Sequence, residues 1–90
     1  MRIDLKFKLR EIAGEHLLVN QGTPEVNLTE VISLNKSACF LFERFAGEPF
    51  AQEEVAEALM AKYGLSPGKA ATDAALWVKR MKQCEVIISD

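Results

Sequence analysis

The sequence has few of the residues from which small catalytic or metal sites are usually built. Its 90 residues include one histidine, His16, and two cysteines, Cys39 and Cys84, which do not form a C-x-x-C pair. No nucleophile lies near His16 in the sequence, so neither a catalytic triad nor a zinc site is indicated. We therefore predict no enzymatic activity, no catalytic residue, no metal and no cofactor. The cysteines are interpreted as reduced thiols in or at the boundary of the core of a cytoplasmic protein.

Phosphate-binding glycine motifs, excess positive charge and long hydrophobic runs are also missing. The five glycines fall at predicted turns or helix boundaries and form neither G-x-G-x-x-G nor a P-loop. The formal net charge is −2, whereas proteins that bind nucleic acids usually carry an excess of basic residues. No segment resembles a signal peptide or a membrane span. Nucleic acids and membranes are therefore not expected as partners.

The composition that is present is that of a globular protein. Hydrophobic residues make up 49% of the chain and charged residues 27%, so we expect one folded domain over residues 1–90. Alternating residues in Phe7–Ala13 and His16–Gln21, separated by a glycine turn, predict a β-hairpin. A third strand is predicted over Val26–Leu34, with one apolar and one mostly polar face.

Three helices are predicted to follow the strands. Asn35 is a suitable N-cap for a helix from Lys36 to about Ala46. A second helix is predicted over Ala51–Gly64, and a third, with Ser66 as its N-cap, from about Pro67 to Cys84. On the third helix, one stripe is expected to consist of Ala71, Ala74, Val78 and Met81. The segment Glu85–Ile88 is interpreted as a short strand or an extended tail. The order β-β-β-α-α-α predicts an α+β fold that is winged-helix-like, with a three-stranded antiparallel sheet followed by a three-helix bundle.

Two features of the third helix allow a structural and a functional interpretation. Trp77 either belongs to the core, as large aromatic residues usually do, or lies at the edge of a groove. The basic residues Lys79, Arg80 and Lys82 either complement the helix dipole at its C-terminal end or contact a partner. That partner is an acidic peptide in the leading interpretation. The alternative is a winged-helix DNA-binding or regulatory domain that reads DNA with this helix.

Three segments together resemble the PqqD-like family, named for coenzyme PQQ synthesis protein D. They are "LNKSACFLFERFAG", "EEVAEALMAKYGLSPGKA" and "DAALWVKRM". The resemblance covers roughly residues 9–87. The positions that carry it are Leu34–Asn35, Leu41–Phe42, Gly47, Glu53–Ala56, Tyr63, Asp73, Trp77 and Met81.

This resemblance implies a RiPP recognition element, which is a module that binds ribosomally made and post-translationally modified peptides. Such modules bind the leader segment of a precursor peptide and present it to a modifying enzyme, often a radical SAM protein. They have no catalytic residues of their own. The implied partners are therefore a leader peptide and a peptide-modifying enzyme, acting in a pathway like that of PQQ biosynthesis.

The resemblance also implies where the peptide binds. The leader pairs as an extra strand with the third strand, and its side chains enter a groove against the third helix. The implied peptide-binding residues are Asn27, Thr29, Val31, Ile32, Ser33, Asp73, Trp77, Arg80 and Cys84. This agrees with general physics, because a sheet edge has unpaired backbone groups that an added strand satisfies. The same edge would allow a weak homodimer, so a monomer or a weak homodimer is expected.

Overall fold

A computed structural model describes residues 1–20 and 31–89 of the chain. The elements of this part, in chain order, are β1 (Arg2–Ile3), β2 (Phe7–Ile12), β3 (Glu15–Asn20), β4 (Val31–Leu34), α1 (Lys36–Phe45), α2 (Gln52–Tyr63), α3 (Pro67–Gln83) and β5 (Ile87–Ile88). The predicted α+β class, with a three-stranded antiparallel sheet followed by three helices, is confirmed. Of the predicted third strand, Val31–Leu34 is confirmed and residues 26–30 lie outside the described residues.

The described strands form two separate antiparallel sheets. The larger has the order β2-β3-β4, with β3 in the middle. The smaller pairs β1 with β5 through Arg2–Ile88 and Ile3–Ile87. Strand β1 was not predicted, because its two residues are too few to give a pattern and its partner lies at the other end of the chain. Since β5 pairs with β1, the described part of the C-terminal tail, through residue 89, does not pair with β4.

The hairpin of β2 and β3 closes through the two-residue turn Ala13–Gly14. Both residues have positive φ, 53° at Ala13 and 80° at Gly14. Two-residue loops with positive φ at both positions match the right-handed twist of the flanking strands. The turn sets the register, in which Ile12 pairs with Glu15 and Leu9 with Leu18.

Side-chain caps define where the helices begin. Asn35 accepts a hydrogen bond from the Ala38 amide at 2.8 Å, as predicted for an N-cap. Ser66 accepts from the Lys69 amide at 3.3 Å, directly before Pro67 at the first position of α3. At α2 the Glu54 carboxylate accepts from the backbone N–H of Ala51 at 3.0 Å, which is half of a capping box.

The core lies between the inner face of the larger sheet and the three helices. Leu18 and Leu34 enter it from the sheet, while Val31 and Ser33 of β4 are exposed on the opposite face. The helices contribute Ala38, Cys39, Leu41, Phe42, Phe45, Val55, Leu59, Ala70, Ala74, Trp77, Val78 and Met81. The stripe expected on α3 included Ala71, but the structure exposes Ala71 and buries Ala70, one position earlier on the helix.

The helices of the described residues do not combine the length and apolar character needed to cross a bilayer. Across residues 1–20 and 31–89, no group of three or more His, Cys, Asp or Glu side chains is arranged to hold a metal ion.

The position of Leu59 in the core predicts a large effect of its truncation. Leu59 is 2% exposed, whereas Leu5 in the turn before β2 is 62% exposed. Leu59→Ala should lower the free energy of unfolding by about 2–5 kcal/mol, and Leu5→Ala by less than about 0.5 kcal/mol. Urea denaturation followed by circular dichroism measures both values. Equal effects of the two substitutions would contradict the placement of the core.

Candidate functional site: a groove beside strand β4

An apolar groove opens where the N-terminal half of α1 meets α2 and α3. Its volume is about 460 Å³. The apolar lining consists of Ala38, Leu41, Leu59, Tyr63, Leu65, Leu76 and Trp77. Four polar residues complete the lining: Asn35, Ser37, Asp73 and Arg80. A mostly apolar concavity with a few polar groups is the usual form of a ligand-binding site.

One face of α3 forms a wall of this groove. Asp73, Leu76, Trp77 and Arg80 follow one another at the helical spacing i, i+3, i+4 and i+7, and all four line it. Leu76 is 61% exposed although it is apolar. The neighbouring face of α3 is buried through Ala74 and Met81. The helix is therefore anchored by one face and presents an adjoining face to the groove.

Trp77 satisfies both interpretations that the sequence left open. It is 7% exposed, and its ring lies 6.2 Å from that of Phe50 at an angle of 41°. Phe50 in turn lies 4.8 Å from Phe45 of α1. Trp77 is thus part of an aromatic core cluster, yet its surface also lines the groove. Within the described part of the chain, its buried indole Nε1 has no hydrogen-bond partner.

Strand β4 lies at an edge of the larger sheet. It pairs with β3 on one side, through Leu18–Ile32 and Val19–Val31. On its other side, none of the strands in residues 1–20 and 31–89 pairs with it. Arg80 of α3 reaches this side, and its Nη2 donates to the carbonyl oxygen of Ser33 at 2.9 Å. The open edge therefore adjoins the groove wall that α3 forms.

The backbone of β4 has a simple geometry at this edge. In an antiparallel strand, alternate residues direct their N–H and C=O groups to the same side. The bond from Arg80 places the carbonyl of Ser33 on the side facing α3. Val31, two residues earlier, directs its backbone groups the same way, whereas Ile32 and Leu34 direct theirs to β3.

The two charged residues of the groove are held differently. The Asp73 carboxylate accepts from Lys69 Nζ at 3.0 Å, an i,i+4 pair on α3. Arg80 is bound to the Ser33 carbonyl, and no carboxylate of the described residues lies within ion-pair distance of it. Among the described residues, the negative charge of the groove is therefore paired with a neighbouring lysine, whereas its positive charge has no carboxylate partner.

A comparison with known protein families shows to which family the chain belongs. The family model described as coenzyme PQQ synthesis protein D (PqqD) matches residues 15–87. The chain belongs to the PqqD family. The match begins with β3 and ends in β5, so it includes β4, all three helices and the groove.

Two solved structures share the fold of this PqqD-family chain. One is described as TbiB1 in complex with the TbiA(beta) leader peptide; its TM-score is 0.72 at 17% identity, with all of both chains covered. The other is a lasso peptide synthetase B1 complexed with the leader peptide. Its TM-score is 0.65 at 20% identity, covering 91% of this chain and 89% of the other. No curated protein matches the chain.

The groove brings together part of the predicted site. Asp73, Trp77 and Arg80 line it, and Ser33 is tied to it through Arg80. Among the other predicted residues, Val31 is exposed on β4 and Ile32 is half-buried. Cys84 is half-buried at the C-cap of α3 and does not line the groove. Asn27 and Thr29 lie outside the described residues, so their predicted role stays a prediction.

Several groove residues were not predicted from the sequence. Leu76 could have been found, because it lies between Asp73 and Arg80 on the same helical face. Tyr63 and Leu65 at the end of α2, and Ser37 and Ala38 at the start of α1, have no such signal. They reach the groove only because three helices pack together.

The two thiols of this PqqD-family chain have different surroundings. Cys39 is 6% exposed, and its Sγ donates to Glu43 Oε1 at 3.4 Å. Burial, the bond to Glu43 and the charges of Glu43 and Glu11 raise the pKa of Cys39 to about 11. Cys84 is half-buried at the end of α3. Cys39 is therefore a core thiol, as interpreted from the sequence.

The pKa of Cys39 predicts low reactivity. With a pKa of about 11, on the order of one thousandth of the Cys39 thiol is ionised at about pH 8. Because the thiolate is the reactive form, iodoacetamide should modify Cys84 at least about tenfold faster than Cys39. The rate at Cys39 should rise about tenfold per pH unit up to its pKa. Mass spectrometry of timed samples tests this, and equal rates at the two sites would contradict it.

The unpartnered indole nitrogen predicts how Trp77 tolerates substitution. Trp77→Ala should lower the free energy of unfolding by about 3–5 kcal/mol, because it leaves a cavity beside Phe50. Trp77→Phe removes no hydrogen bond of the described chain and keeps a ring, so it should cost less than half as much. Denaturant unfolding of both variants checks this. If the phenylalanine variant were as unstable as the alanine variant, Trp77 Nε1 would have to make a hydrogen bond that stabilises the fold.

Proposed function

We propose that this chain is a non-catalytic module that binds the leader segment of a ribosomally made precursor peptide. The peptide pairs as an added strand with the open edge of β4, places side chains in the groove beside α3, and is presented to a modifying enzyme. A radical SAM maturase is one such enzyme. The observation that carries this proposal is that an apolar groove adjoins an edge of β4 with which none of the described strands pairs.

The physics of strand addition suits this surface. The backbone groups of Val31 and Ser33 provide hydrogen bonds without regard to peptide sequence, whereas the groove provides selectivity through side chains. The exposed Leu76 and the half-buried Leu65 offer apolar area that a peptide side chain would bury. Each apolar side chain fully buried contributes about 1.5–3 kcal/mol before the cost of ordering the peptide. Two or three such anchors contribute about 3–9 kcal/mol before that cost is subtracted. Micromolar binding needs a net of about 8 kcal/mol, so the backbone hydrogen bonds must supply the rest.

The comparisons support the same kind of partner. TbiB1 and a lasso peptide synthetase B1, which share this fold, were each solved with a leader peptide. We extend leader-peptide binding to this chain on the basis of the shared fold and the family. Sequence identities of 17% and 20% do not transfer the roles of individual residues. The proposal covers residues 1–90 as one recognition domain of the cytoplasm, where free thiols such as Cys39 and Cys84 stay reduced.

The groove is suited to binding rather than to a reaction. Its carboxylate, Asp73, is paired with Lys69, and its cation, Arg80, is bonded to a backbone carbonyl. The DNA-binding alternative is not favoured. The groove face of α3 carries the acidic Asp73, which disfavours contact with phosphates. The net charge of −2 also opposes binding to phosphates.

A proline at Val31 tests strand addition at β4. The N–H of Val31 faces the open edge, so Val31→Pro should leave the pairing with β3 intact and remove a donor needed by an added strand. Val31→Ala is the matched control, because it shortens the same side chain and keeps the N–H.

The probe is a synthetic dodecapeptide selected on the wild-type protein from a random phage-displayed library. Val31→Pro should weaken its binding by about tenfold or more, and Val31→Ala by less than about threefold. Fluorescence anisotropy of the labelled peptide measures both. Equal affinities of the proline and alanine variants would contradict strand addition. Gel filtration of the free protein at several concentrations shows whether a second copy occupies the edge instead.

A further inference from the structure

Arg80 occupies part of the edge that the proposed peptide needs. Its Nη2 donates to the carbonyl oxygen of Ser33 at 2.9 Å, although the two residues are 47 positions apart in the sequence. This carbonyl is a backbone acceptor of β4 on the side facing α3. In the free protein, a side chain therefore provides the hydrogen bond that an added strand would otherwise provide.

A peptide strand and the guanidinium compete for the same acceptor. The N–H of an added strand approaches a carbonyl in the plane of the sheet, from the side that Arg80 now occupies. Arg80 is exposed and on the surface of α3, so its side chain is able to move without disturbing the core. Strand addition at Ser33 therefore exchanges one donor for another and releases the guanidinium.

The released guanidinium is free to bind a carboxylate of the peptide, because the described residues of the groove offer it no unpaired one. Asp73 is the carboxylate of the groove, and it is already paired with Lys69 at 3.0 Å. Across the described residues, no other carboxylate lies within ion-pair distance of Arg80. An arginine fork binds a carboxylate through two parallel hydrogen bonds, which makes this pairing more specific than a single charge contact.

We propose that Arg80 is the specificity-determining residue of this edge. It caps the Ser33 carbonyl in the free protein, gives way to a peptide N–H on binding, and selects peptides with an Asp or Glu side chain next to the residue that pairs with Ser33. This inference rests on the proposed function and specifies the chemistry of the peptide: an acidic residue at a fixed distance from the apolar anchors.

Parallel selections from random peptides test the role of Arg80. One phage library of random dodecapeptides is selected on the wild-type protein, on Arg80→Gln and on Lys79→Gln. Glutamine removes the charge at residue 80 but keeps a neutral donor. Lys79 is exposed on α3 and does not line the groove, so Lys79→Gln removes the same charge from the adjacent position.

The expected result is a preference that depends on Arg80 alone. Peptides selected on the wild-type protein and on Lys79→Gln should carry Asp or Glu at one fixed position. The frequency of Asp or Glu there should be about fivefold or more higher than in peptides selected on Arg80→Gln. All three selections should share the same apolar positions. Arg80→Lys, which keeps the charge and loses the fork, should retain a weaker preference.

A binding cycle with one peptide completes the test. The best wild-type peptide is synthesised with its acidic residue and with glutamine in that place. The exchange should weaken binding about fivefold or more to the wild-type protein and less than about twofold to Arg80→Gln. Thermal unfolding of each variant establishes that it is folded.

The outcomes separate this inference from the proposed function. If Arg80→Gln selects the same acidic position as the wild-type protein, or if the wild-type protein selects none, the role of Arg80 is overturned while strand addition stands. If the selected peptides bind Val31→Pro as tightly as Val31→Ala, strand addition fails and the role of Arg80 fails with it.

Discussion

The packing of α3 beside the open edge of β4 is the constraint on which the rest of the site depends. Strand β4 has one paired side and one side without a strand of the described chain. Helix α3 is held next to it by its buried residues and by the aromatic cluster of Phe45, Phe50 and Trp77. That cluster joins α1, its following connector and α3, and its member Trp77 also lines the groove.

In the proposed function, the same arrangement recognises a peptide without a reactive group. Backbone pairing gives affinity for any extended chain, and an apolar groove adds a requirement for particular side chains. The contact between Arg80 and Ser33 satisfies an edge acceptor in the free protein. Natural sheet proteins commonly protect open edges in such ways, since unprotected edges pair with other copies. In this chain the edge is protected by the exposed side chain of Arg80, which an incoming peptide strand can displace.

Local features of the fold were predictable from the sequence, and long-range ones were not. The hairpin turn, the Asn35 and Ser66 caps and the three helices follow from nearby residues, and the structure confirms them. Strand β1 and its pairing with β5 were missed because two residues at opposite ends carry no shared pattern. The family resemblance located Asp73, Trp77 and Arg80. It did not locate the groove residues of α1 and α2, which depend on helix packing, nor the bond from Arg80 to a backbone carbonyl.

The most direct test of the account is amide hydrogen exchange at Val31 and Ser33, with and without a peptide selected on the wild-type protein. Their N–H groups face the open edge, so they should exchange rapidly in the free protein and become protected, by about tenfold or more, in the complex. The amides of Ile32 and Leu34, which pair with β3, should change little. Unchanged exchange at Val31 and Ser33 in a saturated complex would show that the peptide binds elsewhere, and would contradict strand addition at β4.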